Sequence, residues 1–157
     1  MSIVVSDTGP INYLTILGIF PLLQNLYKSV FITPQILKEM SHKSSPTKVK
    51  NLAKNLPNWV KVKNIKVLDE ISVYRLDAGE LEAISLAKKL NLPVLLDDLD
   101  ARKVADLYKI SKVGTLGILV ELSNKKLVNI DATLKKLKKT NFFLSKDLEH
   151  MVRNLCS

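Results

Sequence analysis

The stretch Val94-Leu95-Leu96-Asp97-Asp98 has the clearest strand pattern in the chain, because three aliphatic residues end directly at two acids. A short, uninterrupted apolar run is typical of a strand buried on both faces in a parallel sheet. A second run of this type, Ile3-Val4-Val5, opens the chain and ends at Ser6-Asp7. Both runs therefore predict buried strands with carboxylates at their carboxyl ends.

Helical patterns alternate with these strands. Apolar residues at helical spacing follow Pro10, Pro34 and the segment Asp77-Ala78-Gly79-Glu80, and proline suits the first turn of a helix. The alternation predicts an α/β fold with a central parallel sheet. The other assignments are strands at 30–32, 59–62 and 110–113, helices at about 100–108, 116–123, 131–139 and 145–154, and no clear assignment for 65–76.

Composition narrows the class of protein. A length of 157 residues fits a single domain, 1–157. The single cysteine, Cys156, excludes an internal disulfide framework and a cysteine-based zinc site. We expect a cytoplasmic protein without a membrane span, because the start does not have a signal-peptide pattern and the apolar stretch 11–23 is short and interrupted.

The chain is strongly basic, with 24 Lys and Arg against 15 Asp and Glu and a formal net charge of +9. Such an excess attracts polyanions and favours nucleic acid as a partner through counterion release. A lysine-rich solvated surface without a specific partner is an equally good interpretation of the charge alone.

Each acid in a notable position has a structural alternative. Asp7 could bond the amides of the turn that follows it, and Glu39 could be a solvated helix residue. Glu80 stands three residues after Asp77, which is the spacing of a capping box. The acids Asp97, Asp98 and Asp100 could all lie at a helix N-terminus, where the helix dipole stabilises negative charge.

Chemistry offers a second interpretation of these acids. Parallel sheets place sites beyond the carboxyl ends of their strands, where strand order switches, and Asp7 and Asp97-Asp98 follow two predicted strands. Carboxylates brought close together repel one another unless a cation joins them. An all-oxygen donor set suits Mg²⁺ or Mn²⁺, which can activate water for attack on a phosphodiester.

Four motifs together resemble the PIN-domain nucleases. The opening segment 3–11 resembles the family's first strand with its acid, and Ile36-Leu37-Lys38-Glu39-Met40 resembles the helix with the second acid. Segment 79–87 is similar to the helix with the third acid, and Val94-Leu95-Leu96-Asp97-Asp98 resembles the strand leading to the fourth. Gly114-Thr115-Leu116-Gly117-Ile118-Leu119 also resembles a PIN-like branch near the toxin ribonucleases of type II toxin–antitoxin pairs.

The resemblance covers about residues 3–123 and leaves 124–157 as a C-terminal helical extension. It implies a three-layer α/β/α fold with a parallel sheet of about five strands. It also implies a metal-dependent endoribonuclease that uses Mg²⁺ or Mn²⁺, forms a homodimer and has a small antitoxin as a partner. The implied catalytic residues are Asp7, Glu39, Glu80 and Asp98, and the implied metal ligands are Asp7, Glu80, Asp97 and Asp98, with Asp100 as an auxiliary acid.

Two departures from the family pattern leave alternatives open. Glu80 stands where many members have Asp, and Leu96 stands where the classical nucleases often carry Ser or Thr. The doubled acid leaves the ligand undecided between Asp97 and Asp98. A catalytically weak module that binds RNA or a protein is the main alternative, and cleavage of DNA is another.

A basic cluster lies in the C-terminal extension. Lys135, Lys136, Lys138 and Lys139 are candidate RNA-binding residues. A solvated helix face is the alternative interpretation.

Overall fold

A computed structural model describes residues 2–157 of the chain. Its sheet has five parallel strands in the order β3-β2-β1-β4-β5. This arrangement confirms the predicted α/β class and the parallel sheet of about five strands. The strands are β1 (Ser2–Ser6), β2 (Tyr27–Ile32), β3 (Val60–Val62), β4 (Val94–Leu95) and β5 (Lys112–Val113).

Helices connect the strands, and most begin at a signal visible in the sequence. Thr33 accepts a hydrogen bond from the Ile36 amide at 3.3 Å and is followed by a proline, and Ser145 accepts one from the Leu148 amide at 3.1 Å. Such caps satisfy amide groups that the first turn leaves without partners. The helices are α1 (Thr8–Ile16), α2 (Pro34–Met40), α3 (Thr47–Lys54), α4 (Asp69–Ser72), α5 (Ala78–Leu90), α6 (Leu99–Leu107), α7 (Thr115–Asn124), α8 (Ile130–Leu137) and α9 (Lys146–Leu155), with a 3₁₀ helix at Phe20–Asn25.

The strand order switches direction between β1 and β4. After β1 the chain builds β2 and β3 on one side, then returns to build β4 and β5 on the other. β1 pairs directly with β4, with Val5 opposite Val94, and the Asp7 amide donates to the Leu95 carbonyl at 3.0 Å. The carboxyl ends of these two strands therefore meet at the switch point, where open parallel sheets hold their sites.

The last two helices pack into the same hydrophobic core as the sheet. Leu134, Leu137 and Val152 are buried in one cluster with the strand residues Val4 and Val5. On the surface Arg153 of α9 forms an ion pair with Asp131 of α8. None of the helices within residues 2–157 combines the length and the apolar character needed to cross a bilayer.

Candidate metal centre

Asp7 stands between the end of β1 and the start of α1, and only 8% of its surface is exposed. Its side chain does not cap α1, although the Thr8 amide donates a hydrogen bond to it, so its role in the turn is confined to that one contact. Burial is the largest cause that raises the pKa of Asp7, to about 8, and the nearby Asp77, Glu80 and Glu39 carboxylates raise it further. The Thr8 amide lowers the pKa and offsets only part of this. Without a cation, the Asp7 carboxylate is therefore held in an unfavourable environment.

Glu39, on α2, reaches the same place and is held there by two donors. The Thr8 hydroxyl donates to Glu39 Oε1 at 2.6 Å, and the Gln35 side-chain amide donates to Oε2 at 3.1 Å. The side chain is half-buried. Glu39 is therefore an oriented acid at the end of β1, and the alternative of a freely solvated helix residue does not describe it.

Asp77 and Glu80 form the capping box of α5 that their spacing predicts. The Glu80 amide donates to Asp77 Oδ1 at 2.8 Å, and the Asp77 amide donates to Glu80 Oε1 at 3.1 Å. Glu80 is buried, and burial, followed by repulsion from Asp77 and Asp98, raises its pKa to about 7. Both residues thus have a structural role, and both lie near enough to Asp7 to raise its pKa. Asp7, Glu39, Asp77 and Glu80 together are called the acidic pocket below.

Three of the carboxylates come close enough to share one ion. An oxygen from each of Asp7, Glu39 and Asp77 lies within 4.8 Å of the other two. Within residues 2–157 no Lys, Arg or His forms an ion pair with these acids. An all-oxygen cluster of this kind, with no protein cation to neutralise it, has the donor chemistry that Mg²⁺ or Mn²⁺ binds.

Sequence reasoning did not include Asp77 in the site. The N-cap position of Asp77 is enough to explain an acid there. No sequence pattern shows that α5 begins beside the end of β1. The one available signal is Gly79, whose missing side chain leaves room for an approaching group. A Cβ at Gly79 would lie 2.6 Å from Glu39 Oε2 and 2.9 Å from Oε1.

Asp98, Asp97 and Asp100 occupy three different environments. Asp98 is exposed, caps α6 by accepting the Ala101 amide at 3.0 Å, and lies near enough to Glu80 to raise its pKa. Both oxygens of Asp97 contact Thr115, one accepting its amide at 2.7 Å and the other its hydroxyl at 2.6 Å. Asp100 is exposed in the first turn of α6. Asp98 therefore borders the pocket on the Glu80 side, while Asp97 holds the start of α7.

We expect Gly79→Ala to displace the Glu39 carboxylate while the fold persists. A Cβ would meet the end of the Glu39 side chain, so the displacement breaks its hydrogen bonds to Thr8 and Gln35 without moving the backbone. The higher helix propensity of alanine offsets part of that loss. The thermal midpoint should therefore change little, whereas affinity for Mn²⁺ should fall roughly 10- to 100-fold, as for other changes that misorient a ligand. Calorimetric titration with Mn²⁺ measures the loss.

The matched control for this prediction is the same change in a Glu39→Ala background. There Gly79→Ala should have no further effect, since the group that it displaces is absent. An unaltered Mn²⁺ affinity in the single variant would show that Glu39 does not contribute to the site.

The four candidate RNA-binding lysines lie on and just after α8, and all are exposed. Lys138 forms an ion pair with Glu149 at 2.7 Å, so part of its charge is already neutralised. Lys135, Lys136 and Lys139 form no ion pair within residues 2–157. A role for this face in binding RNA stays a prediction.

The fold and the site define a class: an α/β protein with a parallel five-stranded sheet and a carboxylate pocket at the sheet's switch point. The family model DUF3368, described as a PIN domain, matches residues 3–157. The chain therefore belongs to the PIN-domain family, as its motifs predict, and members of this family are typically nucleases that use divalent metal ions.

A solved structure supports the fold independently. The chain is similar to a PilT N-terminus domain protein from the hyperthermophilic archaeon Sulfolobus solfataricus P2, with a TM-score of 0.52 and 17% sequence identity. The similarity covers 92% of this chain and 100% of that one. None of the curated proteins matches the sequence.

Proposed function

We propose that the protein is a metal-dependent endoribonuclease that hydrolyses RNA phosphodiester bonds. The observation that carries this proposal is the convergence of Asp7, Glu39 and Asp77, from three distant segments, within 4.8 Å of one another. Burial, with the neighbouring carboxylates, raises the pKa of Asp7 to about 8, and a divalent cation would stabilise its ionised form. The basic surface of the chain, with a net charge of +9, supports a polyanionic substrate.

The residues present fit a Mg²⁺ or Mn²⁺ ion. Asp7, Glu39 and Asp77 would hold it, with Glu80 and Asp98 beside them. When bound, such an ion supplies a water of lowered pKa and neutralises charge that develops on a phosphoryl oxygen. The hydrogen bonds from Thr8 and Gln35 keep the Glu39 carboxylate in place. A nearby cation would lower the raised pKa of Asp7 and favour its ionised form.

The proposal is tested with purified protein, a labelled RNA and a labelled single-stranded DNA of the same sequence. We expect internal cleavage of the RNA with Mn²⁺ or Mg²⁺ and none after chelation by EDTA. Preferential cleavage of the DNA would move the assignment to a deoxyribonuclease. Absence of cleavage of either polymer with both ions would refute the proposal.

A second candidate function is an RNA-binding module with little turnover. It is favoured because several of the acids have structural roles that need no catalysis. Asp77 and Glu80 cap α5, Asp98 caps α6, and Asp97 accepts hydrogen bonds from Thr115. This candidate predicts RNA binding that weakens with salt but no products. Turnover that EDTA abolishes would exclude it.

Asp98→Ser separates capping from a role at the metal centre. Serine caps helices nearly as well as aspartate, so stability should fall by less than about 0.5 kcal/mol, while Asp98→Ala should cost about 1 kcal/mol. If Asp98 belongs to the centre, both variants should cleave RNA at least about tenfold more slowly. A wild-type rate for Asp98→Ser, measured beside its thermal melt, would assign Asp98 to the cap alone.

The cellular setting forms the finer part of the proposal. We infer a cytoplasmic toxin of a toxin–antitoxin pair, acting as a homodimer, whose small antitoxin covers the acidic pocket. The four acid motifs of the PIN-domain family on a basic chain, and the resemblance of Gly114-Thr115-Leu116-Gly117-Ile118-Leu119 to the toxin-related branch, support this setting. The exposed apolar side chains Leu99 and Leu107 on α6, 72% and 67% exposed, support a protein contact. Co-purification of the chain with the product of an adjacent reading frame would test it.

A further inference from the structure

A cavity of about 280 Å³ opens beside the metal centre. Only one of its lining residues belongs to the carboxylate cluster. It is lined by Gln35, Lys38, Glu39, His42 and Ser44. Glu39 belongs to both places, so the cavity adjoins the centre directly. Residues three and four apart share a helix face, and the spacing of 35, 38, 39 and 42 therefore forms one polar stripe along α2 and its C-terminal end.

The His42 ring is held in one orientation. The Ser44 amide donates to His42 Nδ1 at 3.1 Å, and the Ser44 hydroxyl lies 2.7 Å from the same nitrogen. A backbone amide can only donate, so Nδ1 is the acceptor and the neutral ring carries its proton on Nε2. Nε2 makes no hydrogen bond within residues 2–157. His42 thus presents a fixed N–H donor.

The segment that carries His42 is pinned to α2. The Ser45 hydroxyl donates to the Glu39 carbonyl at 2.7 Å, and the Ser45 amide donates to the His42 carbonyl at 2.9 Å. The His42 amide in turn donates to the Glu39 carbonyl at 3.2 Å. A donor that is ordered before its ligand arrives loses little entropy on binding.

The cavity holds one positive charge, that of Lys38, beside the Glu39 carboxylate, whose oxygens already accept hydrogen bonds from Thr8 and Gln35. Lys38 is exposed and forms no ion pair within residues 2–157. Together with the Nε2–H of His42 it supplies two donors among the lining residues. Lysine is a common phosphate binder, acting as a point charge, and phosphate contacts fix the position of a nucleic acid without reading its sequence.

We propose that this cavity binds an RNA phosphate adjacent to the phosphodiester at the metal centre. Lys38 supplies the charge and His42 Nε2 donates the hydrogen bond. The subsite rests on the proposed function, because the RNA strand that it holds is the one the centre cuts. Its role is to place the strand in register with the carboxylates.

The test measures affinity for a labelled single-stranded RNA by fluorescence anisotropy with Mg²⁺, in an Asp7→Asn background so that bound RNA stays intact. We expect His42→Ala to weaken binding roughly 3- to 10-fold, the effect of losing a charge-assisted hydrogen bond. His42→Gln should bind nearly as the parent, since its amide nitrogen reaches the Nε2 position, whereas His42→Asn should resemble alanine. Lys38→Gln should weaken binding and reduce the salt slope by about one.

The matched control is His150→Ala, which changes an exposed histidine on α9 and should leave the affinity unchanged. Equal RNA affinity in the parent, His42→Ala and Lys38→Gln would overturn the subsite. If the wild type nevertheless cleaves RNA, the proposed function stands without the subsite. Weakened binding by both variants, with no cleavage by the wild type, would instead retain the subsite and remove the nuclease assignment. Thermal melts check that each variant is folded.

Discussion

Asp7→Asn is expected to lower the rate of RNA cleavage more than about 100-fold at saturating Mn²⁺, since metal stabilisation of the transition state is worth several kcal/mol. Asp7 is the most buried of the three clustered acids, and Glu39 and Asp77 each lie within 4.8 Å of it. The amide keeps the size of the side chain and removes its charge. The loss should therefore come from the centre itself, and cleavage of labelled RNA at fixed protein concentration measures it.

The control for this loss is Asp147→Asn. Asp147 is an exposed acid of α9, so the variant makes the same change in net charge away from the pocket and should cleave at the wild-type rate. Equal rates for Asp7→Asn and the wild type would place the activity elsewhere in the molecule or in a contaminating enzyme.

The second large effect concerns the stability of the metal-free protein. The pKa of Asp7 is raised by burial to about 8 from an ordinary value of 3.8. The stability associated with this group is fully present below pH 3.8 and is lost as the pH rises toward 8, because the unfolded chain ionises freely and the folded one does not. A single group of this kind costs about 1.4 kcal/mol per pH unit in that window.

Asp7→Asn should therefore be more stable than the wild type at pH 8 in EDTA, by about 2 kcal/mol once relaxation of the pocket has reduced the full linkage effect. For a chain of this size the gain corresponds to roughly 4–8 °C in thermal midpoint. At pH 4 the difference should nearly vanish. With excess Mn²⁺ the order should reverse, because only the wild type gains binding free energy.

Thermal melts at pH 4 and pH 8, each with EDTA and with Mn²⁺, give all the required comparisons. A wild type that is at least as stable as Asp7→Asn in EDTA at pH 8 would mean that the pocket places no strain on the carboxylate. Asp147→Asn again serves as the control and should follow the wild type under every condition.

Most of the fold was predictable because local signals and burial agreed. The apolar runs at Ile3-Val4-Val5 and Val94-Leu95-Leu96 became central strands, and the Asp77–Glu80 spacing became a complete capping box. Segment 65–76 could not be assigned, since its apolar residues fit neither period clearly. Tertiary contacts determine its structure: the Leu68 amide donates to the Ser85 hydroxyl at 3.1 Å, and Ile71, within the short helix α4, is buried.

The site was predictable only in part. The pattern predicted that Asp7 and the Asp97-Asp98 pair would come together if their strands were adjacent, but it did not predict the pairing of β1 with β4 that the structure shows. Asp77 reaches the carboxylate cluster because of the path that the chain takes before α5. No periodicity in the sequence predicts that path. Asp97 and Asp98 have different roles because Thr115 lies next to Asp97 and donates to both of its oxygens. The position of Thr115 is determined by packing, which the sequence pattern does not show.

The shared metal site is tested most directly by measuring bound Mn²⁺ with electron paramagnetic resonance. The wild type is compared with three variants, Asp7→Asn, Glu39→Gln and Asp77→Ser. Serine at position 77 can still cap α5. If Asp7, Glu39 and Asp77 hold one ion, we expect saturable binding by the wild type and a loss of at least about tenfold in affinity in each variant. Pairwise combinations should lose less than the sum of the single losses, as expected for ligands of one ion. Wild-type affinity in all three variants, or no binding by the wild type, would contradict the shared site.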